Sequence, residues 1–197
     1  MAGAIARGEL SLGLIAGGRA RRLGGLDKAW LERDGQAQVQ RLRQRYVEAV
    51  GPVLASANRD LARYAAVGLD AFPDRVADAG PIAALDALAA ACATPWLFTL
   101  PVDLVDAPDG LLPALLHGRA ANGARIRDED GAQPLVALWR TAPLREALAT
   151  ALAQREHAVY RLQARLGMAE VHLDGLRLGN LNTPDDLRAA GFTVQAP

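Results

Sequence analysis

The sequence predicts an α/β fold around a mainly parallel sheet, and three observations carry that prediction. Short apolar runs of strand length recur at residues 11–15, 52–56, 68–72 and 96–100; helix-like segments at 38–50 and 82–92 fall between them; and a loop rich in Gly and Arg follows the first run directly. Strands that alternate with helices need crossover connections, which place neighbouring strands in parallel.

Each element has its own signal. Residues 11–15 read as a buried strand, because they are apolar apart from Ser11 and Gly13. The 82–92 segment is almost wholly apolar and is predicted to be a core helix immediately before the strand at 96–100. The second half is less regular: helices are expected at 111–121 and 144–154, strands at 124–127, 135–139 and 170–173, with room for an antiparallel excursion. The polar stretch from Arg127 to Gly131 reads as a hairpin-type turn between two strands. Near the end, Thr183 is a natural helix cap with Pro184 at the first helical position and Asp185 and Asp186 in the first turn, so a short final helix is expected to stop near Gly191.

Composition narrows the function classes. At 197 residues with 51% hydrophobic and 22% charged residues, the chain has the balance of a globular protein, and no repeat or linker divides it into two folding units. Basic and acidic residues both number 22, so no overall field favours nucleic acid or an anionic membrane. Charged residues interrupt every apolar run before membrane-spanning length, and residues 1–10 lack the apolar core of a secretion signal; a soluble, cytoplasmic protein is expected. The single cysteine, Cys92, lies in an alanine-rich run and reads as a small buried thiol. His117, His157 and His172 show no metal-ligand spacing and are assigned no chemistry.

The chemistry is concentrated in residues 14–28, Leu-Ile-Ala-Gly-Gly-Arg-Ala-Arg-Arg-Leu-Gly-Gly-Leu-Asp-Lys. Paired glycines at the carboxyl end of a strand let backbone N–H groups approach phosphate oxygens, and Arg19, Arg21, Arg22 and Lys28 supply positive charge. The spacing fits neither G-x-G-x-x-G nor G-x-x-x-x-G-K-[ST]. Asp103 follows the apolar run 96–100, so its carboxylate should emerge at the carboxyl end of a central strand, where the crevices of open α/β sheets form.

These residues resemble the nucleotidyltransferases whose glycine-rich loop ends in Lys, and among them the molybdenum cofactor guanylyltransferases. Ala16 to Lys28 follows that family's pattern throughout. Further blocks fall in the family's order: Ala57-Asn58-Arg59, Phe72-Pro73-Asp74, Gly80-Pro81-Ile82-Ala83, Pro101-Val102-Asp103, residues 133–138 and Asn180-Leu181-Asn182-Thr183-Pro184.

The resemblance implies a three-layer, Rossmann-like nucleotidyltransferase fold forming one domain over residues 1–197. By position it implies that Ile15, Ala16, Gly17 and Gly18 contact the nucleotide, Lys28 its phosphates, Ser56 and Asp74 the base and sugar region, and Asp103 a magnesium ion. Lys28, Asp103 and Arg22 are the catalytic candidates. Gly80, Pro81, Asn180 and Asn182 would form the acceptor pocket. Ser56 departs from the family's usual Asn, Trp30 from its small residue after the loop, Gln36-Ala37-Gln38 from its Lys-Pro-Leu, and residues 104–108 from its early proline after the metal-site Asp.

The implied reaction is transfer of GMP from GTP to the phosphate of molybdopterin or the molybdenum cofactor, with release of pyrophosphate. Cofactor-synthesis proteins or recipient molybdoenzymes are the partners that such a role implies. Two alternatives stay open on sequence grounds: a cytidylyl or sugar-phosphate transferase, distinguished by a panel of triphosphates and acceptors, and a nucleotide-binding protein without catalysis, distinguished by binding without pyrophosphate release.

Overall fold

The computed structural model of the protein describes residues 4–17 and 26–193. Among the described residues the chain order is β1 (Leu10–Ile15), β2 (Glu32–Arg33), β3 (Gln36–Ala37), α1 (Gln38–Tyr46), β4 (Val53–Ser56), α2 (Leu61–Ala66), β5 (Asp70–Phe72), α3 (Pro81–Ala91) and β6 (Trp96–Pro101). There follow α4 (Leu111–Gly118), β7 (Gly123–Asp128), β8 (Gly131–Arg140), α5 (Thr141–Ala153), α6 (Val159–Leu166), β9 (Ala169–His172) and α7 (Pro184–Ala189).

Seven of these strands form one sheet in the order β5-β4-β1-β6-β8-β7-β9. The pairs β5·β4, β4·β1, β1·β6 and β7·β9 are parallel, whereas β8 is antiparallel to both β6 and β7. The expected antiparallel excursion is therefore a single reversed strand. The chain winds outward from β1 to β4 and β5, then returns through α3 to β6 on the other side of β1. That reversal opens a crevice at the carboxyl ends of the parallel strands.

The sheet is covered on both faces. One core cluster packs Val39, Leu42 and Tyr46 of α1, Tyr64 of α2 and Leu111, Leu112 and Leu115 of α4 against β1 and β6. The other packs α3, α5 and α6 through Ile82, Leu85, Leu88, Leu144, Leu148, Leu162 and their neighbours. This is the expected three-layer arrangement. Every residue of β1 is buried, as a strand covered on both faces requires. Ile82, Leu85 and Leu88 are wholly buried, each worth about 2 kcal/mol relative to exposure. No helix among the described residues is long and apolar enough to cross a membrane.

Several elements differ from the sequence expectation. Helix α5 begins at Thr141, not 144, because Pro143 sits in the first turn, where its missing N–H costs no helical bond. Strand β8 begins at Gly131, not 135, because Pro134 lies at an irregularity: Arg125 pairs with Ala137 and Ile126 with Gln133, so Pro134, Leu135 and Val136 have no partner on β7. Their carbonyls are partly satisfied by side chains, Gln163 Nε2 donating to Pro134 O and Thr99 Oγ1 to Leu135 O, both at 2.8 Å.

Helix α1 ends at Tyr46, where Ala49 and Val50 turn back to the Tyr46 carbonyl, and α4 ends at Gly118. Strand β5 begins only at Asp70, after the turn that closes α2. At the start of β7, Gly123 has φ +128°, and an added Cβ would lie 1.9 Å from Leu138 O, so only glycine fits against β8.

The turn at residues 128–131 and the terminal helix follow the sequence reading. Thr183 Oγ1 accepts from Asp186 N at 3.1 Å, and the Asp186 carboxylate accepts in return from Thr183 N at 2.8 Å and Asn182 N at 3.0 Å. The Thr183 side chain, and then the Asn182 and Thr183 backbone N–H groups, hold the Asp186 carboxyl below its ordinary range. Leu187 and Phe192 then pack with Leu31 and Leu181, joining α7 to the small β2–β3 hairpin. Cys92 is buried, its Sγ 3.3 Å from Thr94 Oγ1.

Candidate nucleotide site

A cleft of about 1130 Å³ lies at the carboxyl ends of β1, β4, β5 and β6. Of the four strands, β4, β5 and β6 each bring a polar side chain to it or beneath it, and β1 brings backbone. Ile15, Ala16 and Gly17 continue β1; Ser56 ends β4, with Asn58 just beyond; Asp74 follows β5; Asp103 follows β6. The strands reach the cleft in register, with Ala16 N donating to Ser56 O at 2.9 Å and Val102 N to Ile15 O at 3.0 Å.

The cationic centre is Lys28. Its Nζ is 3.4 Å from Asp103 Oδ2 and donates to Asn182 Oδ1 at 2.9 Å. Lys28 opens a short helical turn, Lys28–Trp30, capped by Asp27, whose Oδ1 accepts from Ala29 N at 3.0 Å. Burial pushes the Asp27 carboxyl above its ordinary range, against the pull of that hydrogen bond. Beneath the turn, Trp30 packs edge-on to Tyr64 at 4.9 Å, with the Arg63 guanidinium 4.1 Å from its ring centre. The large residue that departs from the family pattern at position 30 thus fills space between the loop's end and α2.

The segment after Asp103 pairs with the approach to α7. Leu181 N donates to Asp103 O at 2.7 Å, Val105 N to Gly179 O at 3.3 Å and Asp106 N to Leu178 O at 3.1 Å. Buried Gln38, at the start of α1, donates from Nε2 to Leu104 O at 2.7 Å. The two departures at positions 36–38 and 104–108 therefore meet in one hydrogen bond.

A second polar corner lies beside Gly17. Asn58 Nδ2 donates to Asp74 Oδ2 at 2.8 Å, and Asp74 N donates to Asn58 Oδ1 at 2.9 Å. Ser56 Oγ and Asp74 Oδ1 are buried without a hydrogen-bond partner. An added Cβ on Gly17 would lie 3.7 Å from Ser56 Oγ, 3.9 Å from Asp74 Oδ1 and 3.2 Å from Asn58 Nδ2. Buried polar atoms are nearly always paired, so two orphans close to one backbone position at the edge of the cleft are candidates for contact with a ligand.

The cleft is also lined by Gly80 and Pro81 at the start of α3, by the irregular segment Pro134, Leu135 and Val136 of β8, and by Asn180. This lining is more apolar than the corner at Gly17. The Pro134 to Val136 segment can line the cleft because it has left the ladder with β7.

The structure thus brings Ile15, Ala16, Gly17, Lys28, Asp74, Gly80, Pro81, Asp103 and Asn180 to one cleft. Ser56 lies beneath the corner at Gly17. Asn182 is exposed and engages Lys28, while Asn180 lines the cleft. Gly18 and Arg22 lie outside the described residues. Asn58, Arg59 and Gln133, which belong to blocks of the family resemblance but were given no role, also line the cleft, as do Ala77 and Asp78. Asn58 carried a usable signal, since it is a carboxamide two residues beyond the end of a strand.

Asp103 is the residue suited to a divalent cation. Its side chain is 32% exposed and already draws one cation, Lys28. No group of three His, Cys, Asp or Glu residues among the described ones could hold a metal by itself. That donor set suits magnesium, which needs only one or two protein carboxylates when phosphates and water complete its shell.

Comparison with known proteins agrees with this geometry. Residues 13–169 match the model of the MobA-like NTP transferase domain. A molybdenum cofactor guanylyltransferase from Cupriavidus necator is 34% identical over 194 residues, covering 93% of this chain and 97% of the relative. Among solved structures, molybdopterin-guanine dinucleotide biosynthesis protein A from Archaeoglobus fulgidus shares the fold, with a TM-score of 0.68 at 18% identity over 92% of this chain and 96% of that one. The 2-C-methyl-D-erythritol 4-phosphate cytidylyltransferase from Thermus thermophilus shares it as well, with a TM-score of 0.67 at 18% identity over 91% and 96%.

Proposed function

The chain belongs to the family of MobA-like NTP transferase domains, and on that premise we propose that it transfers GMP from GTP to the terminal phosphate of molybdopterin or the molybdenum cofactor. The observation that carries this reading is that one cleft joins three kinds of group: unpartnered polar atoms beside Gly17, the Lys28–Asp103 pair, and a lining of Pro81 and Pro134 to Val136 with Asn180.

A phosphate oxygen of the acceptor attacks the α-phosphorus of GTP. The new phosphorus–oxygen bond forms as the bond to the bridging oxygen breaks, and pyrophosphate leaves with that electron pair. The nucleophile is already ionised, so a general base is not required. The protein's tasks are positioning and charge neutralisation. Lys28, steadied by Asn182, holds the triphosphate and offsets the charge that grows on the leaving group. Asp103 would hold magnesium, which would supply further charge neutralisation to the reacting phosphates. Pro134 to Val136 and Gly80–Pro81 offer an apolar slot for the pterin, with Asn180 as its polar contact. Recipient molybdoenzymes or cofactor-synthesis proteins would take the product.

The test is pyrophosphate release from each of the four ribonucleoside triphosphates, with and without molybdopterin, in the intact protein and in Asp103→Ala. Release with GTP that requires acceptor, magnesium and Asp103 is expected. Release with CTP would assign a cytidylyl transfer, and binding without release would reject catalysis.

A further inference from the structure

We infer that Asn58 is a positioning residue for base selection, setting the Asp74 carboxylate so that a single oxygen, Oδ1, faces the base of the nucleotide. The inference rests on the reading that the corner beside Gly17 takes the base of GTP. A carboxylate oxygen and a hydroxyl left open beside Gly17 suit N–H donors such as those of a base, while Lys28 serves the phosphates elsewhere in the cleft.

The argument starts from what the two hydrogen bonds do. A carboxylate on a loop can turn about its terminal torsion and offer either oxygen. Here Asn58 closes a ring with Asp74, donating to Oδ2 at 2.8 Å and accepting from the Asp74 backbone N–H at 2.9 Å. Both ends of the carboxamide are used in their proper sense, so its orientation is fixed as well. Oδ2 is thereby occupied, and Oδ1 remains buried without a partner, as does Ser56 Oγ. Gly17 keeps the amide seated, since a Cβ there would press to 3.2 Å from Asn58 Nδ2.

An oriented carboxylate oxygen discriminates among bases by its inability to donate. Guanine presents two adjacent N–H donors on its Watson–Crick edge. Adenine and cytosine present a ring acceptor beside one amino group, so a fixed carboxylate oxygen faces a lone pair in those bases. A carboxylate free to rotate would relax that distinction. Ser56 can donate or accept and so adds affinity with less selectivity.

The experiment is equilibrium binding of GTP, ATP, CTP and inorganic pyrophosphate to the intact chain and to Asn58→Ala, Asn58→Asp, Asp74→Ala and the Asn58→Ala/Asp74→Ala double variant, with thermal unfolding of each. The wild type should prefer GTP. Asn58→Ala should lower GTP affinity roughly tenfold, the range of one charged hydrogen bond, while ATP, CTP and pyrophosphate affinities stay within about twofold. Asn58→Asp, which sets like charges together, should lose at least as much selectivity. In the Asp74→Ala background, Asn58→Ala should change nothing further.

An unchanged ratio of GTP to ATP affinity in both Asn58 variants would overturn the inference. So would equal losses for GTP, ATP and pyrophosphate, or additive effects in the double variant, since those mark a merely structural role. If the intact chain itself shows no preference for GTP, the guanine reading of the site fails and this inference falls with it. Selective wild-type binding with unaltered Asn58 variants removes the inference alone.

Discussion

Asp74 and Asp128 are both carboxylates held by hydrogen bonds near the ends of strands, yet they are used in opposite ways. Asp128, at the end of β7, is saturated: it accepts from Leu178 N at 2.9 Å, Asp130 N at 3.0 Å and Gln133 Nε2 at 3.2 and 3.3 Å. Asp74, after β5, has one oxygen engaged by Asn58 and one left without a partner. Saturated polar groups fix a fold, whereas a buried group with spare valence holds a place for something else. The same contrast divides the sheet. The parallel strands end in incompletely satisfied groups around the cleft, while the reversed strand β8 and its neighbours end in closed networks, such as Arg125 and Arg127 on Glu170.

The strongest way to break this contrast is to remove the cleft's charged pair. Asp103→Ala and Lys28→Ala should each lower GTP-dependent pyrophosphate release by on the order of a thousandfold, with the unfolding temperature moved by no more than about 2 °C. A large loss of thermal stability with activity retained would show that the pair serves the fold.

Asp128→Asn should do the reverse. Losing a charged acceptor with several donors is expected to cost about 3 kcal/mol, or roughly 10 °C at this chain length, while activity per folded molecule persists. Its pH dependence has a definite sign. Burial raises the Asp128 carboxyl's pKa, but the Leu178, Gln133, Asp130 and Gly131 hydrogen bonds together outweigh it and leave the pKa below its ordinary value. A depressed native pKa gives stability that is fully present above the unfolded value, about pH 4, and is lost as pH falls through the native value. The gap between wild type and Asp128→Asn in thermal unfolding should therefore be constant near neutrality and close below about pH 4.

Smaller effects sharpen the division between the two asparagines. Asn182→Ala, which frees Lys28, should lower kcat about tenfold with little change in the acceptor KM; Asn180→Ala should raise the acceptor KM instead. Smallest of all, Thr183→Ala removes the cap of α7 and should cost about 1 kcal/mol, seen as faster amide exchange over residues 184–189.

The parallel half was largely legible in the sequence because apolar runs such as 11–15 and 96–100 are buried on both faces and bounded by loops. Proline misled the reading of the other half. The expected strand at 135–139 and helix at 144–154 each start after a proline, whereas Pro134 sits inside β8 at a break in strand pairing and Pro143 in the first turn of α5. Four elements among the described residues went unread. The β2–β3 hairpin turns on Asp34 and Gly35, both at positive φ, a usable Asp-Gly signal in an otherwise very short pair of strands. Helix α2 is only Leu61–Ala66, too short for a period to show, and α6 carries its apolar face on a few positions within Val159–Leu166.

The site divides in the same manner. Lys28 and Asp103 could be placed because each follows a strand or a glycine loop. The contact of Asn182 with Lys28 spans 154 positions in sequence, and no local pattern reports such a meeting. Asn58 was visible as a residue, but its bond to Asp74 depends on β4 and β5 lying side by side.

The pairing of residues 103–106 with 178–181 also sets an order of events in time. During synthesis Lys28 and Asp103 leave the ribosome long before Asn182, so the β1 to β6 portion can condense while its phosphate-binding lysine lacks its second partner. Completion of the active arrangement waits for a contact that is among the most distant along the chain, and closure of distant contacts is slow. A refolding protein should therefore regain its central sheet before it regains turnover, and the interval between the two would time the arrival of the Asn180–Asn182 segment.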